Sequence, residues 1–224
     1  MDGDSWDEAL LDPARTPLFA ALLSDVLDGM GLPRQALPAR IRPLDDALVM
    51  LGRARTALYA DVYAHTDGEN PYELEIALVD GLRPGDIPVF ACGGSGRIAP
   101  WGELLSTAAQ VRGAAGALMD GAVRDIKAIR AMRFPVFHGG IAPLDSKGRG
   151  RVVQVDVPVE CGGVAVSTGD LVLGDADGVV VVPCAAEEEA LRRARTKLEG
   201  ERNTLRELQE GQTLAAVFAR HGVL

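Results

Sequence analysis

An α/β fold built on a parallel central sheet, with a β-rich second half, is predicted by three features of this 224-residue sequence. In the middle of the chain short apolar runs alternate with helical segments, the order that βαβ units require. Beyond Ile141 the stretch "VVQVDVPVECGGVAVSTGDLVLGDADGVVVVP" is almost all strand and turn. No linker-like change of composition and no internal repeat divides the chain, so residues 1–224 read as a single domain.

The elements follow in order. "TPLFAALLSDVLDGMGLP" predicts a helix capped by Thr16, with Pro17 at its first position and Gly31 as its stop. "RARTALYADV" alternates as a strand does. "NPYELEIALVDGLRPGD" repeats the helix signature: Asn70 caps, Pro71 follows and Gly81 ends it. "DIPVFACGG" is a short apolar strand running into glycines, and "GALMDG" is another buried strand. Between them "WGELLSTAAQVRGAAG" is helical, beginning near Gly102. The short helix "DIKAIRAM" leads to the strand "PVFHGG". In the second half Thr168-Gly169-Asp170 and Asp177-Gly178 mark turns between β-segments. A long charged helix from about Ala185 to about Glu210 follows, then "TLAAVFARHGVL".

Composition narrows the function. Aromatic residues make up only 4%, too few for a base-stacking surface, and a net charge of −9 opposes broad phosphate-backbone binding. An anionic small substrate would need a local positive centre, either a metal or an arginine. Cys92, Cys161 and Cys184 lie far apart with no C-x-x-C, which predicts reduced, buried thiols and no zinc site. The N-terminal "MDGDSWDEALLD" lacks a signal-like apolar region, and no run reaches the roughly 18 apolar residues of a membrane span. The expectation is a soluble cytoplasmic protein without nucleic-acid or membrane partners.

Three groups of residues could carry chemistry. In "CGGSGRIAPWGE", Gly94, Gly96 and Ala99 spell G-x-G-x-x-A between a strand and a helix, and Asp120 ends the next strand where a ribose ligand would sit. Pro100 and Trp101 interrupt the place where a fingerprint helix should already be running, which favours a plain tight turn. Glu103 falls in the first turn of the next helix, either as a carboxylate against the positive helix end or as a ligand at the carboxyl edge of the sheet. In the second case the amides of Glu103, Leu104 and Leu105 would form an anion cradle. Arg124 and Asp125 read either as a solvated side chain and a helix N-cap, or as a partial site. There Asp125 would supply oxygen to Mg²⁺ or Mn²⁺ and Arg124 would fork onto a substrate carboxylate. His65, His138 and His221 lack metal-ligand spacing, and His138 reads as structural.

The segments "GGSGRIAPWGELLSTAAQVRGAAGALMDGAVRD", "FPVFHGG", "GDLVLGDADGVVVVP" and "LSDVLDGMG" together resemble the family of 4-hydroxy-4-methyl-2-oxoglutarate aldolases and the related regulators of ribonuclease E activity. The similarity runs in order over most of the chain. Its most specific piece is an acid, twenty intervening residues and Arg-Asp, here Glu103 to Arg124-Asp125. Aldolase members typically carry Asp at the first position, so Glu103 keeps the charge and adds a methylene. Regulator members generally lack an acid there, so Glu103 favours the enzyme.

The resemblance implies a three-layer β/β/α fold of the swivelling-domain type, assembled as trimers or hexamers with the C-terminal helix at a subunit interface. It implies a class II, metal-dependent cleavage of 4-hydroxy-4-methyl-2-oxoglutarate, or a related 4-hydroxy-2-oxo acid, to pyruvate. Oxaloacetate decarboxylation is implied as a second activity. By residue, it implies Asp125 as the protein ligand of Mg²⁺ (or Mn²⁺) and Glu103 as the holder of a metal-bound water. Arg124 would contact the 2-oxo acid, aided by the Leu104 and Leu105 amides at the helix start that opens at Gly102. An acid from a neighbouring subunit's C-terminal helix completes the implied site; Glu201 matches by its distance from Gly211, with Glu199 close behind. The rival readings are a non-catalytic regulator that binds a ribonuclease or another partner, and a nicotinamide-dependent oxidoreductase.

Overall fold

The long strand around residue 55 organises everything else in the structure, a computed structural model that describes residues 17–64 and 67–222. In chain order the first half comprises α1 (Ala20–Gly29), β1 (Arg42–Pro43), β2 (Met50–Asp61), α2 (Glu73–Asp80), β3 (Asp86–Ala91) and α3 (Glu103–Val111). Next come β4 (Ala117–Met119), β5 (Ala122–Val123), α4 (Ile126–Met132), β6 (Val136–His138) and β7 (Gly140–Ile141). The remainder is β8 (Gly150–Val155), β9 (Val159–Cys161), β10 (Val164–Val166), β11 (Leu171–Gly174), β12 (Val179–Val182), α5 (Glu187–Gln209) and α6 (Leu214–His221).

The main sheet runs β1-β6-β4-β3-β2-β11-β12, and its central strands β2, β3, β4 and β6 are parallel. β2 is long enough to serve two neighbours on its other edge. β11 lies antiparallel along Met50 to Arg53, β8 along Ala57 to Asp61, and the register shifts between Leu58 and Tyr59. Gly52 permits the tight crossing here, because a Cβ on it would lie 2.1 Å from the Gly85 carbonyl oxygen.

β3 shows why the core strands read as continuous apolar runs. Ile87, Val89 and Ala91 face one layer, Phe90 and Cys92 the other, and both layers are covered. On the first face the β9–β10 hairpin packs Val159, Cys161, Val164 and Val166 against Met50, Val89, Leu118 and Phe137. On the second, Tyr59, Phe90, Trp101, Ile129 and Phe134 form an aromatic-rich core beneath α2, α3 and α4, with Phe90 edge-on to Trp101 at 5.4 Å. The result is the three-layer β/β/α fold. At the far end α1 and α5 bury Leu22, Leu23, Leu27, Ala190 and Ala194 against Leu171, Leu173, Val180 and Val182.

For α1 and α2 the helix starts differ from the sequence reading while the stops agree. α1 begins at Ala20 rather than Pro17, because the Asp175 carboxylate, 155 residues away, accepts the Ala20 N–H at 2.7 Å and caps it from outside. Thr16 lies outside the described residues. Gly31 does end α1: at φ +79° it donates to Asp28, and Leu32 donates to Leu27, closing a Schellman motif. Before α2 the Asn70 side chain accepts the Tyr72 N–H at 3.0 Å, forming a turn one step ahead of the helix, which starts at Glu73. α3 stops at Val111 rather than Gly116, and the chain turns at Gly113 (φ +78°). Of the cysteines expected to be buried, Cys184 is exposed at the turn into α5.

Candidate functional site

After β3 the chain turns through Gly93 and Gly94, whose φ of +60° and +67° only glycine adopts without steric cost. The Asp120 carboxylate at the end of β4 holds this loop. It accepts the N–H groups of Cys92 (2.5 Å) and Gly94 (3.1 Å), and of Gly162 (3.1 Å) from the β9–β10 turn. Three charge-assisted bonds make Asp120 a buried staple between loop, sheet and hairpin. Its oxygens are thereby engaged within the chain, and the G-x-G-x-x-A pattern is left without its ribose carboxylate.

The loop ends in the core at Trp101, which is fully buried and donates from Nε1 to Ser106 Oγ at 2.7 Å. Trp101 bridges Val123 in parallel register, and the Arg124 N–H donates to the Trp101 carbonyl at 2.9 Å. That pairing brings Gly102 and Glu103 alongside Arg124 and Asp125 at the carboxyl edge of β3 and β4, where open α/β sheets bind ligands. Glycine at 102 leaves room for the pair, since a Cβ there would lie 2.5 Å from Asp125 Oδ2 and 3.3 Å from Arg124 Nε and would displace these side chains.

Asp125 occupies the N-cap position of α4 at φ 57°, yet its side chain makes no capping bond to that helix. Its Oδ2 accepts the Glu103 N–H at 3.2 Å instead, so the carboxylate is turned toward the start of α3. One of the three proposed cradle amides is thereby engaged. Leu104 and Leu105 retain N–H groups with no intrahelical acceptor. Arg124 lies 3.7 Å from Asp145 and 4.0 Å from Asp125, ion-pair distances without hydrogen bonds. Its Nε is buried and has no acceptor among the described residues, leaving a donor for a ligand oxygen.

These residues open onto a cavity of about 390 Å³. Pro100, Gly102, Leu104 and Leu105 form one wall, Arg124 and Asp125 a second, and Tyr72, Glu75, Asp145 and Ser146 a third. A smaller depression of about 280 Å³, lined by Ile126, Ile141 and Pro143, adjoins the other side of Arg124 and Asp125. A larger one, about 570 Å³ beside Arg42, Asp46 and Arg130, contains none of the residues singled out in the sequence. Glu103 is exposed at the helix start and does not line the 390 Å³ cavity.

The third wall was missed by the sequence reading. Tyr72 donates to Asp145 at 2.8 Å, and burial together with that bond pushes its phenol up to about 12. For Asp145 burial works upward, but the Tyr72 hydroxyl and the Arg124 charge outweigh it, and the carboxyl lies below its ordinary range. Glu75 is only 6% exposed and accepts a bond from the Tyr59 hydroxyl. Burial raises its carboxyl to about 7, with the Tyr59 bond opposing. One signal was available: Glu75 stands at helical spacing with Leu78 and Val79, a carboxylate on the apolar face of its helix.

Glu201 is not brought to this cavity within the chain. It lies on α5, which packs against α1 and α6, with its carboxylate 3.8 Å from Lys197; Glu199 is exposed on the same helix. His138 is buried in β6, with burial lowering its pKa, and does not line the cavity. His221 pairs with Glu207 at 3.0 Å, and His65 lies outside the described residues. Among the described residues no three His, Cys, Asp or Glu side chains converge on a metal position. The donors at the cavity edge, Asp125 and Glu103, are hard carboxylate oxygens. They suit an Mg²⁺-type ion that keeps several waters and takes one or two protein carboxylates, whereas zinc takes nitrogen and sulfur donors.

A family model described as "RraA-like: Aldolase/RraA" matches residues 20–181, most of the chain. The chain belongs to this aldolase/RraA family. Among its members, a protein of Halalkalibacterium halodurans provisionally named as a 4-hydroxy-4-methyl-2-oxoglutarate aldolase is 38% identical over 175 residues, covering 78% of this chain and 77% of that one. The RraAS2 structure from Streptomyces coelicolor, described as an unusual member of an RNase ES inhibitor family, superposes with a TM-score of 0.77 at 27% identity. It covers 91% of this chain and 96% of its own. An uncharacterized protein from Pseudomonas syringae superposes at 0.81 with 28% identity, covering 94% and 96%. No helix among the described residues is long and apolar enough to cross a membrane.

Proposed function

We infer that this aldolase/RraA-family chain is a divalent-metal-dependent lyase. It would cleave 4-hydroxy-4-methyl-2-oxoglutarate or a related 4-hydroxy-2-oxo acid to pyruvate, and decarboxylate oxaloacetate. The observation that carries this reading is that Arg124 and Asp125 line one cavity beside the start of α3, where Asp125 accepts the Glu103 N–H and, among the described residues, the Arg124 Nε has no acceptor. Asp125 would hold the ion, and the Glu103 carboxylate is the second acid available to it. When bound, Mg²⁺ or Mn²⁺ would supply Lewis-acid stabilisation of the negative charge that carbon–carbon cleavage leaves in both reactions. Arg124 binds the 2-oxo acid's carboxylate, and the Leu104 and Leu105 amides add preorganised donors at the same helix start. Glu103 positions the water that takes the substrate's hydroxyl proton.

Glu201 enters from another copy of the chain in a trimer or hexamer. Large apolar side chains on the surface support such an assembly: Leu104 beside the cavity and Val111 on α3 are 82% and 80% exposed, and Leu205, Leu214 and Phe218 are exposed on α5 and α6. The likeness to RraAS2 favours the second reading, a non-catalytic binding protein. The two are separated by measuring pyruvate release from oxaloacetate with and without Mg²⁺. The lyase reading expects metal-dependent release that Asp125→Ala abolishes. Full activity in that variant would sink the metal assignment, and an inert wild type would leave the regulator.

A further inference from the structure

Glu75 is unusual in both position and company. It is a carboxylate on the apolar face of α2, nearly out of contact with solvent, and it lines the same cavity as Arg124 and Leu105. Among the described residues it forms no ion pair of its own, since Arg124 stands between Asp125 and Asp145. The Tyr59 hydroxyl bonds to it, and Ser146 on the cavity wall acts on the same phenol. Neither can neutralise a charge. A buried carboxylate without a cation holds its proton unless something draws it off.

Resting on the lyase reading, we propose that Glu75 is the acid that protonates the pyruvate enolate at its methylene carbon. In that step the carboxyl O–H bond breaks and a C–H bond forms at C3. The electron pair of the enolate C=C makes the new bond, and the C2 oxygen returns to a carbonyl. After retro-aldol cleavage this proton balances the one removed from the substrate hydroxyl. After decarboxylation it is the proton that the overall reaction consumes. Glu75 then regains a proton from solvent through the open side of the cavity. The same group acting as a carboxylate removes a methyl proton from pyruvate in reverse.

Burial raises the Glu75 carboxyl to about 7, so both forms are available near neutrality. The groups that act on this ionisation are Tyr59, whose bond lowers it, Asp145, which raises it, and Arg124, which lowers it. The buried Cys92 and the phenol of Tyr72 also feel the Glu75 charge, but burial raises both of them above their ordinary values.

The test is exchange of the pyruvate methyl protons in D₂O with Mg²⁺, followed by proton NMR, beside oxaloacetate decarboxylation and oxalate affinity. Glu75→Gln keeps an acceptor for Tyr59 and should lose about 100-fold or more of the exchange rate, while binding oxalate as the wild type does. In the wild type, exchange should rise with pH through a limb near 7. Tyr59→Phe, which keeps the carboxyl but removes its bond, should move that limb to higher pH. Exchange in Glu75→Gln within twofold of wild type, or a wild-type profile flat across neutrality, overturns the assignment. A wild type that neither exchanges pyruvate nor decarboxylates oxaloacetate overturns the lyase reading itself. Loss of oxalate binding in Glu75→Gln would instead mark a structural role and also overturn the proposal.

Discussion

Replacing Glu75 with glutamine should stabilise the protein at pH 8 and leave it nearly unchanged in acid. Burial lifts this carboxyl from 4.5 to about 7 in the folded chain. Between those values the folded state binds more protons than the unfolded state, so stability falls as pH rises across that window. At about 1.4 kcal/mol per pH unit the wild type loses about 3 kcal/mol by the top of it. Glutamine cannot ionise and escapes the loss. For a chain of this length that corresponds to a melting difference of roughly 6–12 °C at pH 8. Urea unfolding of both proteins at one concentration, in chelator, at steps from pH 4.5 to 8.5 reads the effect directly. Any hydrogen-bonding difference of the amide is the same at every pH, so the change with pH is decisive. A wild-type to variant difference that stays constant over the window, or grows toward acid, would refute the reasoning.

Other perturbations probe the site and its support. Gly102→Ala places a Cβ 2.5 Å from Asp125 Oδ2 and should cost about 100-fold in pyruvate release by displacing the Arg-Asp pair; a variant with wild-type turnover would show that the close approach is immaterial. Asp120→Ala strands three buried or half-buried amides and should cost roughly 3–5 kcal/mol in urea unfolding. A loss under about 1 kcal/mol would contradict the staple. Arg124→Lys loses the planar fork and should raise the inhibition constant for oxalate about tenfold or more, measured by competition against oxaloacetate.

The motif half of the site was legible in the chain because it is a local construction. Glu103 and Arg124-Asp125 are separated by one helix and two short strands, and a parallel βαβ unit returns the chain to the same sheet edge at that spacing. The same logic made β3 readable as a short apolar strand and Gly31 as the end of α1. Asp125 was harder. Its position matched an N-cap, and only the left-handed backbone and the contact to Glu103 revealed that its carboxylate serves another helix.

What the sequence determined by itself were the features that adjacent residues settle among themselves: apolar period, the stops of α1 and α2, and the return of a βαβ unit. What only the tertiary structure decided are the features that distant residues settle together. Asp175 sets the start of α1 from 155 residues away. Tyr72 and Asp145, separated by 73 positions, close the cavity. Glu75 becomes a proton-holding acid because Tyr59, Ser146 and the packed sheet remove its water. A carboxylate's proton affinity depends on the dielectric and the charges around it, and those are properties of the folded neighbourhood rather than of spacing along the chain.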